Sequence, residues 1–313
     1  MKHLAILPLL AAALLLPMNA RAAADAAATD SITVININPL FTYPTAPDDI
    51  PDLKGRTNWI MKNFWNPMDF KSKKTVDQTA LNDAFNVYAS SMPYADRETV
   101  LASVDELLKK LKKNPVLLYQ FTKSAEESLY GPRANMWIDE VYVRFLRELA
   151  KAKKISAPRK ARYTDQLRRL ENSMSGSPMP EIVITQRDGT AATYRPTPGR
   201  VALIEFGFPD CEDCRKSRLY LEVDIKFNEL LRDGKAEMAF IIPDEDENGE
   251  LLDMTERYPK EWTVGKSPSA AEDIDIRDTP SFFVIGRDGA IAAKNVTLNE
   301  ALNLITKLSN VTD

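Results

Sequence analysis

Cys211 and Cys214 are the only cysteines in the 313-residue chain, and Glu212 and Asp213 lie between them. That spacing suits dithiol exchange: the first sulfur attacks a disulfide, and the second resolves the mixed disulfide and releases the product. At a helix N-terminus the first sulfur also meets the positive end of the macrodipole, which favours its thiolate. Rival chemistries are few. The single histidine, His3, lies in an apolar leader, which excludes histidine triads, histidine general bases and most zinc sites. A C-x-x-C is also half of a structural zinc site, but no second pair exists to complete it. An inert disulfide is the other alternative, and so short a loop stabilises little. Asp210, Glu212 and Asp213 crowd the first sulfur, partly offset by Arg215, Lys216 and Arg218. The nearest charges disfavour the thiolate, which leans the couple towards a reductant or isomerase.

Glu205 stands six residues before Cys211 inside an otherwise apolar run, Val201 to Phe206. A carboxyl desolvated on such a strand gains proton affinity and can take the proton that a resolving thiol must lose. The alternative is an acid turned outward or paired with a lysine. A second motif, Asp244-Glu-Asp246-Glu-Asn248-Gly249, matches the first half of a calcium loop. Its twelfth position is Thr255 rather than the bidentate Glu, so a solvated acidic turn is the expectation and no metal is assigned.

The elements that must carry these residues follow from periodicity. Met1-Lys2-His3, the apolar run Leu4–Leu16 and Ala20-Arg21-Ala22 read as a secretory signal, residues 1–22, cleaved near Ala22 for a periplasmic destination. The run is too short for a stable span, although a retained anchor helix is the alternative, and no later stretch suits a membrane helix. Residues 23–53 read as extended linker, with a possible edge strand at 31–38. Across 54–175 the apolar spacing is helical: Val100, Val104, Leu107, Leu108 and Leu111 form one stripe, and Val141, Phe145 and Leu149 another. The cluster Ser173–Pro180 marks a boundary. Residues 176–313 then read as strands and helices: a hairpin through Asp188-Gly189, a buried strand Val201–Phe206, and a helix Leu219–Leu231. Strands Met238–Ile242 and Phe282–Ile285, a turn at Arg287-Asp288-Gly289 and a closing helix Leu298–Leu308 complete it. The expected architecture is α+β in two domains, an all-α domain followed by an α/β domain with a central mixed sheet. Lys+Arg 41 against Asp+Glu 45 leaves a net charge of −4, and no concentrated basic stripe is expected, so neither nucleic acid nor an anionic membrane is an expected partner.

The strand before the C-x-x-C, the helix that the motif opens, and Thr279-Pro280 ahead of Phe282–Ile285 resemble a thioredoxin fold. More narrowly they are similar to exported thiol-disulfide oxidoreductases of the TlpA/ResA type. The resemblance implies that Cys211 attacks, Cys214 resolves, Glu205 occupies the buried-acid position, and Pro280 is a cis-proline beside the sulfurs. It implies further that Thr279 offers its backbone to an extended substrate. No bound cofactor is implied, since the dithiol is itself the redox centre. The implied partners are protein thiols and disulfides, with an electron donor or acceptor that the sequence does not name. Asp210 replaces the tryptophan usual before the first cysteine, and the long Pro243–Asp278 stretch implies an insertion of the kind that group carries. Gly207-Phe-Pro-Asp210 does not resemble the approach to a peroxidatic cysteine.

The run Arg56–Phe70, with Trp59, Phe64, Trp65 and Phe70, and the run Tyr130 to Tyr142 are similar to an uncharacterised helical domain found upstream of such thioredoxins. That likeness brings no activity with it. Most of these aromatics are expected in the core. A binding module with a weakly active or structural disulfide is the alternative to an enzyme.

Overall fold

Short polar side chains ahead of apolar-periodic runs cap three helices of the helical portion. In the computed structural model, which describes residues 39–132, 134 and 136–310, Asp52 caps α1 (Leu53–Asn63) by accepting from the Gly55 N–H at 2.7 Å. Asp77 does the same for α2 (Gln78–Ser91) through Ala80 N–H at 2.8 Å. The predicted stripe lies on α3 (Arg97–Leu111), with Val104 and Leu111 fully buried. Asn114 then caps α4 (Pro115–Leu129), where Pro115 takes the first position and costs no hydrogen bond. Helices α5 (Asp139–Lys151) and α6 (Ala157–Asn172) complete the helical portion, with Val141, Phe145 and Leu149 inward as expected. Phe64, Trp65, Phe85, Tyr88 and Phe121 form its aromatic centre, mostly in edge-to-face contacts. Phe41 and Tyr43, in the extended segment before α1, lie against Phe64 at 5.7 and 5.4 Å between ring centres. The expected leader (1–22) and edge strand (31–38) lie outside the described residues.

The second portion is built on one seven-stranded sheet. Strands β1 (Ile182–Gln186) and β2 (Ala191–Tyr194) form the predicted hairpin, and Gly189 at φ 80° supplies its turn. β3 (Val201–Phe206) follows, then α7 (Glu212–Val223) and α8 (Ile225–Arg232). The single helix expected over 219–231 is therefore two. Asp224 ends one and caps the next through Phe227 N–H at 2.7 Å, while the Asn228 side chain ties down the Leu221 and Glu222 carbonyls. β4 (Ala236–Ile242) precedes the long stretch Pro243–Asp278, which holds α9 (Glu250–Asp253), β5 (Thr263–Lys266) and α10 (Pro268–Asp273). β6 (Ser281–Ile285), β7 (Ile291–Val296) and α11 (Leu298–Ser309) close the fold.

Strand order is β2-β1-β5-β4-β3-β6-β7. β4 runs parallel to β3 and to β5, and the other pairings are antiparallel, so the central sheet is mixed. The fold class is thus an all-α portion followed by a thioredoxin-like α/β portion. β3 sits between β4 and β6 and is buried along its whole length. β5 has no counterpart in the strands read from the sequence, because Thr-Val-Gly-Lys is short and its glycine breaks the pattern. Gly265 is needed there: a Cβ would come within 2.8 Å of the Thr185 carbonyl on β1. The acidic run at 244–249 is a capping turn. Asp246 is buried and accepts from Leu251 and Leu252 N–H at 3.0 Å each, fixing the start of α9. Among the described residues no helix is long and apolar enough to cross a membrane.

From Pro39 onward the chain is one compact unit, and a buried charge cluster joins its two portions. Asp275 is 1% exposed and receives Arg277 at 2.8 Å and Lys294 at 2.6 Å. The same two cations reach Asp139 at the start of α5, Lys294 at 3.0 Å and Arg277 by a direct ion pair. The Arg277 guanidinium also stacks over Tyr130 and Trp137 of the helical portion, at 4.5 and 5.0 Å from the ring centres. Around the cluster, Arg168 pairs with Asp273 at 2.6 Å, and the Ser173 hydroxyl accepts from Asp275 N–H at 3.1 Å. Burial alone would raise the Asp275 pKa, but Lys294 and Arg277 outweigh it and hold the carboxyl below its usual range. Removing one member leaves the others charged and uncompensated. Asp275→Asn is expected to cost about 3–5 kcal/mol in urea unfolding at pH 7, and a loss under 1 kcal/mol would show that the cluster is not a structural joint.

Candidate active site

Cys211 is the N-cap of α7, and its Sγ accepts from the Cys214 N–H at 3.2 Å. An orphan amide at the helix start thus points at the first sulfur, as an anion at that place requires. Both thiols are free; Cys211 is partly exposed and Cys214 fully buried. Burial, followed by the hydrogen bond with Cys211, drives the Cys214 thiol well above its ordinary pKa. The two sulfurs are therefore unequal in access. One faces solvent, and the other holds its proton until something removes it.

Gly207 makes room for the second sulfur. A Cβ at that position would stand 3.0 Å from Cys214 Sγ and 3.4 Å from the Phe240 ring. On the strand just before it, Glu205 pairs in register with Phe240 on β4 and Phe282 on β6. Alternation puts Glu205 on the same face as Val201 and Leu203, under α7 and α11. It is 0% exposed, and neither carboxylate oxygen has a hydrogen-bond partner among the described residues. Burial first, then the negative charge of Cys211, push its pKa well up, and Arg218 pulls the other way. Arg218 is itself engaged elsewhere: it donates to Glu222 Oε1 at 2.5 Å and lies 5.0 Å from the centre of the Tyr258 ring. Tyr258 and Trp262, both from the inserted stretch, bury against this side of the sheet. The sequence counts Arg218 only among the cations near Cys211; that its charge and Tyr258 act at Glu205 follows from the fold.

The Thr279–Pro280 peptide bond is cis. Thr279 N–H donates to Asp278 Oδ1 at 2.9 Å, so that amide is already engaged. Pro280 lines a groove of about 510 Å³ with Asp213, Ser217 and Tyr220 of α7, Asn295, and Trp137 from the helical portion. Trp137 is 39% exposed, unlike Trp65 and Tyr142, which are core residues as expected. Of the acids beside Cys211, Glu212 and Asp213 share Lys216, at 2.9 and 3.0 Å, whereas Asp210 has no ion-pair partner among the described residues. No cluster of metal-ligating side chains occurs among the described residues.

Residues 18–173 match the family model of a domain of unknown function, DUF5106. Among solved structures the chain is similar to a thioredoxin-like protein from Bacteroides caccae, at 18% identity and a TM-score of 0.71, covering 86% of this chain and 98% of that one. It also matches a conserved protein of unknown function from Bacteroides fragilis, at 22% identity and TM-score 0.39, covering 42% of this chain and 99% of that one. A third match is the thioredoxin domain of a thiol-disulfide oxidoreductase from Bacteroides vulgatus, at 22% identity and TM-score 0.38, covering 44% and 98%. No curated protein matches the chain. The first of these likenesses extends over both portions and shows the fold: helical, then thioredoxin-like.

The burial of Glu205 has a pH signature. Below the ordinary carboxylate pKa the folded and unfolded chains both hold the proton, and burial carries no ionisation cost. Above it the unfolded chain ionises while the folded one stays protonated, so stability falls by up to about 1.4 kcal/mol per pH unit until the raised pKa is passed. Glu205→Gln cannot ionise. Wild type and variant are expected to share a urea midpoint near pH 4, with the variant the more stable at pH 7. Equal midpoints at both values would refute a desolvated Glu205.

Proposed function

We propose that the chain is a thiol-disulfide oxidoreductase of exported proteins, working in the periplasm after a leader is cleaved near Ala22. The observation that carries this is a partly exposed thiol at a helix start, backed by a buried thiol and a buried, unpartnered acid. In the reducing direction the Cys211 thiolate attacks a substrate disulfide, forms a mixed disulfide and expels one substrate thiolate. Glu205, once it has released its own proton to solvent, takes the Cys214 proton, directly or through water. The Cys214 thiolate then attacks Cys211 Sγ, and the second substrate sulfur leaves with the bonding pair. The substrate gains two electrons, the protein holds a Cys211–Cys214 disulfide, and an external dithiol must restore it. The raised Glu205 pKa makes its carboxylate a stronger base for that proton, which suits a thiol whose own pKa is also raised.

Substrate would lie extended across Thr279-Pro280 and the groove beside it, displacing Asp278 from the Thr279 amide. Asp210 and the incompletely neutralised Glu212–Asp213 pair place negative charge around the dithiol, and on that ground we assign a reductant or isomerase rather than an oxidant. Insulin reduction should proceed with wild type, stop with Cys211→Ser, and accumulate a mixed disulfide with Cys214→Ser. Glu205→Gln should slow turnover about 10²-fold or more. Equilibration with glutathione is expected to place the pair at or below about −180 mV; a value near −120 mV would assign an oxidant instead. No turnover by wild type would leave a binding module.

A further inference from the structure

The net charge of −4 hides a basic region that the expectation of no concentrated basic stripe missed. Three lysine runs, Lys71–Lys74, Lys109–Lys113 and Lys151–Lys154, are far apart in sequence and each reads alone as a solvated face. The fold brings them to one corner of the helical portion. Lys71, Lys73, Lys110, Lys113 and Lys154 line a groove of about 950 Å³ whose only acid among the described residues is Asp69. A smaller hollow of about 280 Å³ continues from it, sharing Lys113, Pro115 and Lys154 and adding Lys112, Lys151 and Lys153. Glu148 answers Lys112 at 3.3 Å and Lys151 at 3.9 Å. Lys71, Lys73, Lys110, Lys113, Lys153 and Lys154 have no carboxylate within ion-pair distance among the described residues.

Helix-dipole chemistry accounts for part of this. Lysines at the C-terminal ends of α3 and α5 suit the negative pole there. It does not account for Lys71 and Lys73, which lie on the connection between α1 and α2, or for gathering all three runs within reach of one another. Like charges so placed repel and oppose compaction, so the free chain bears a cost that an anionic ligand would remove. The lining is not charge alone. Met68, Phe70, Pro115 and Val116 share the groove, Val116 is 40% exposed, and Lys110 lies 5.2 Å from the Phe70 ring centre.

We propose that this groove binds an extended acidic peptide segment carrying apolar side chains, supplied by a partner protein. Complementarity of charge identifies the ligand as a polyanion. The concave shape favours a linear chain over a flat bilayer, and the apolar floor favours a polypeptide over a purely charged polymer. The basic lining is entirely lysine, which attracts as a set of point charges and lacks the bidentate fork by which arginine singles out phosphate. The site is separate from the dithiol and does not depend on its chemistry.

The test uses the full chain and a fluorescein-labelled dodecapeptide alternating Asp or Glu with Leu, followed by anisotropy. Saturable binding is expected in 50 mM NaCl, weaker at 300 mM as screening shortens the reach of the charges. It should also be tighter than binding of a polyglutamate of equal charge. The combined variant Lys71→Gln, Lys73→Gln, Lys113→Gln and Lys154→Gln changes only exposed side chains and should keep its circular dichroism. It should bind about tenfold more weakly or worse, as four exposed charge pairs imply. Absence of binding at low salt, an unchanged affinity in the folded variant, or polyglutamate matching the peptide would overturn the proposal. So would tighter binding to phosphatidylglycerol vesicles or to heparin.

Discussion

Four charges in a buried cluster hold the molecule to its arrangement. Asp139 comes from the helical portion and Asp275, Arg277 and Lys294 from the α/β portion, and together they sum to zero. Buried ions stabilise only when each is answered, and here each carboxylate meets both cations. The cluster lies just before Thr279-Pro280 in sequence and reaches β7 through Lys294. Asn295 extends it: its side chain donates to the Asp275 carbonyl at 3.0 Å and accepts from the Ser281 hydroxyl at 2.5 Å. The segment that carries the cis peptide is thereby tied to the helical portion from one side and to the sheet from the other.

The sheet imposes the second constraint. β3 must be buried on both faces to sit between β4 and β6, yet it carries an acid at its fifth position. Placing Glu205 there sacrifices stability at neutral pH, because no group among the described residues gives its oxygens a hydrogen bond. Arg218 could have neutralised it but is drawn to Glu222 and the Tyr258 ring. The outcome is an acid with high proton affinity beneath a thiol whose proton is hard to lose. These two unfavourable burials face the same small region behind Cys211, and each makes sense in the presence of the other.

Much of this was legible from local patterns. The C-x-x-C, the apolar run holding Glu205, the Asp188-Gly189 hairpin and the helical stripes are each encoded within a few residues, so spacing located them. Interactions that depend on distant segments were not legible. β5 is four residues long and exists because β1 and β4 flank it. The break at Asp224 depends on an aspartate able to end one helix and start another. The lysine groove is invisible in a net charge, since three runs meet only after α3, α4 and α5 have packed. Arg277 meets Asp139, 138 positions earlier, only once both portions have folded.

The charge cluster also bears on how such chains can be recombined. An α/β portion moved onto another partner would carry Arg277, Lys294 and Asp275 with it and leave Asp139 behind, importing a buried surplus of one positive charge. It would lose the aromatic rings over that arginine, and with Trp137 one wall of the groove beside Pro280. A helical portion inherited alone would keep an aspartate whose cations are gone. The two portions therefore share one charge balance: removing the negative charge at 139 leaves a surplus positive charge that only the loss of a cation at 277 or 294 would offset.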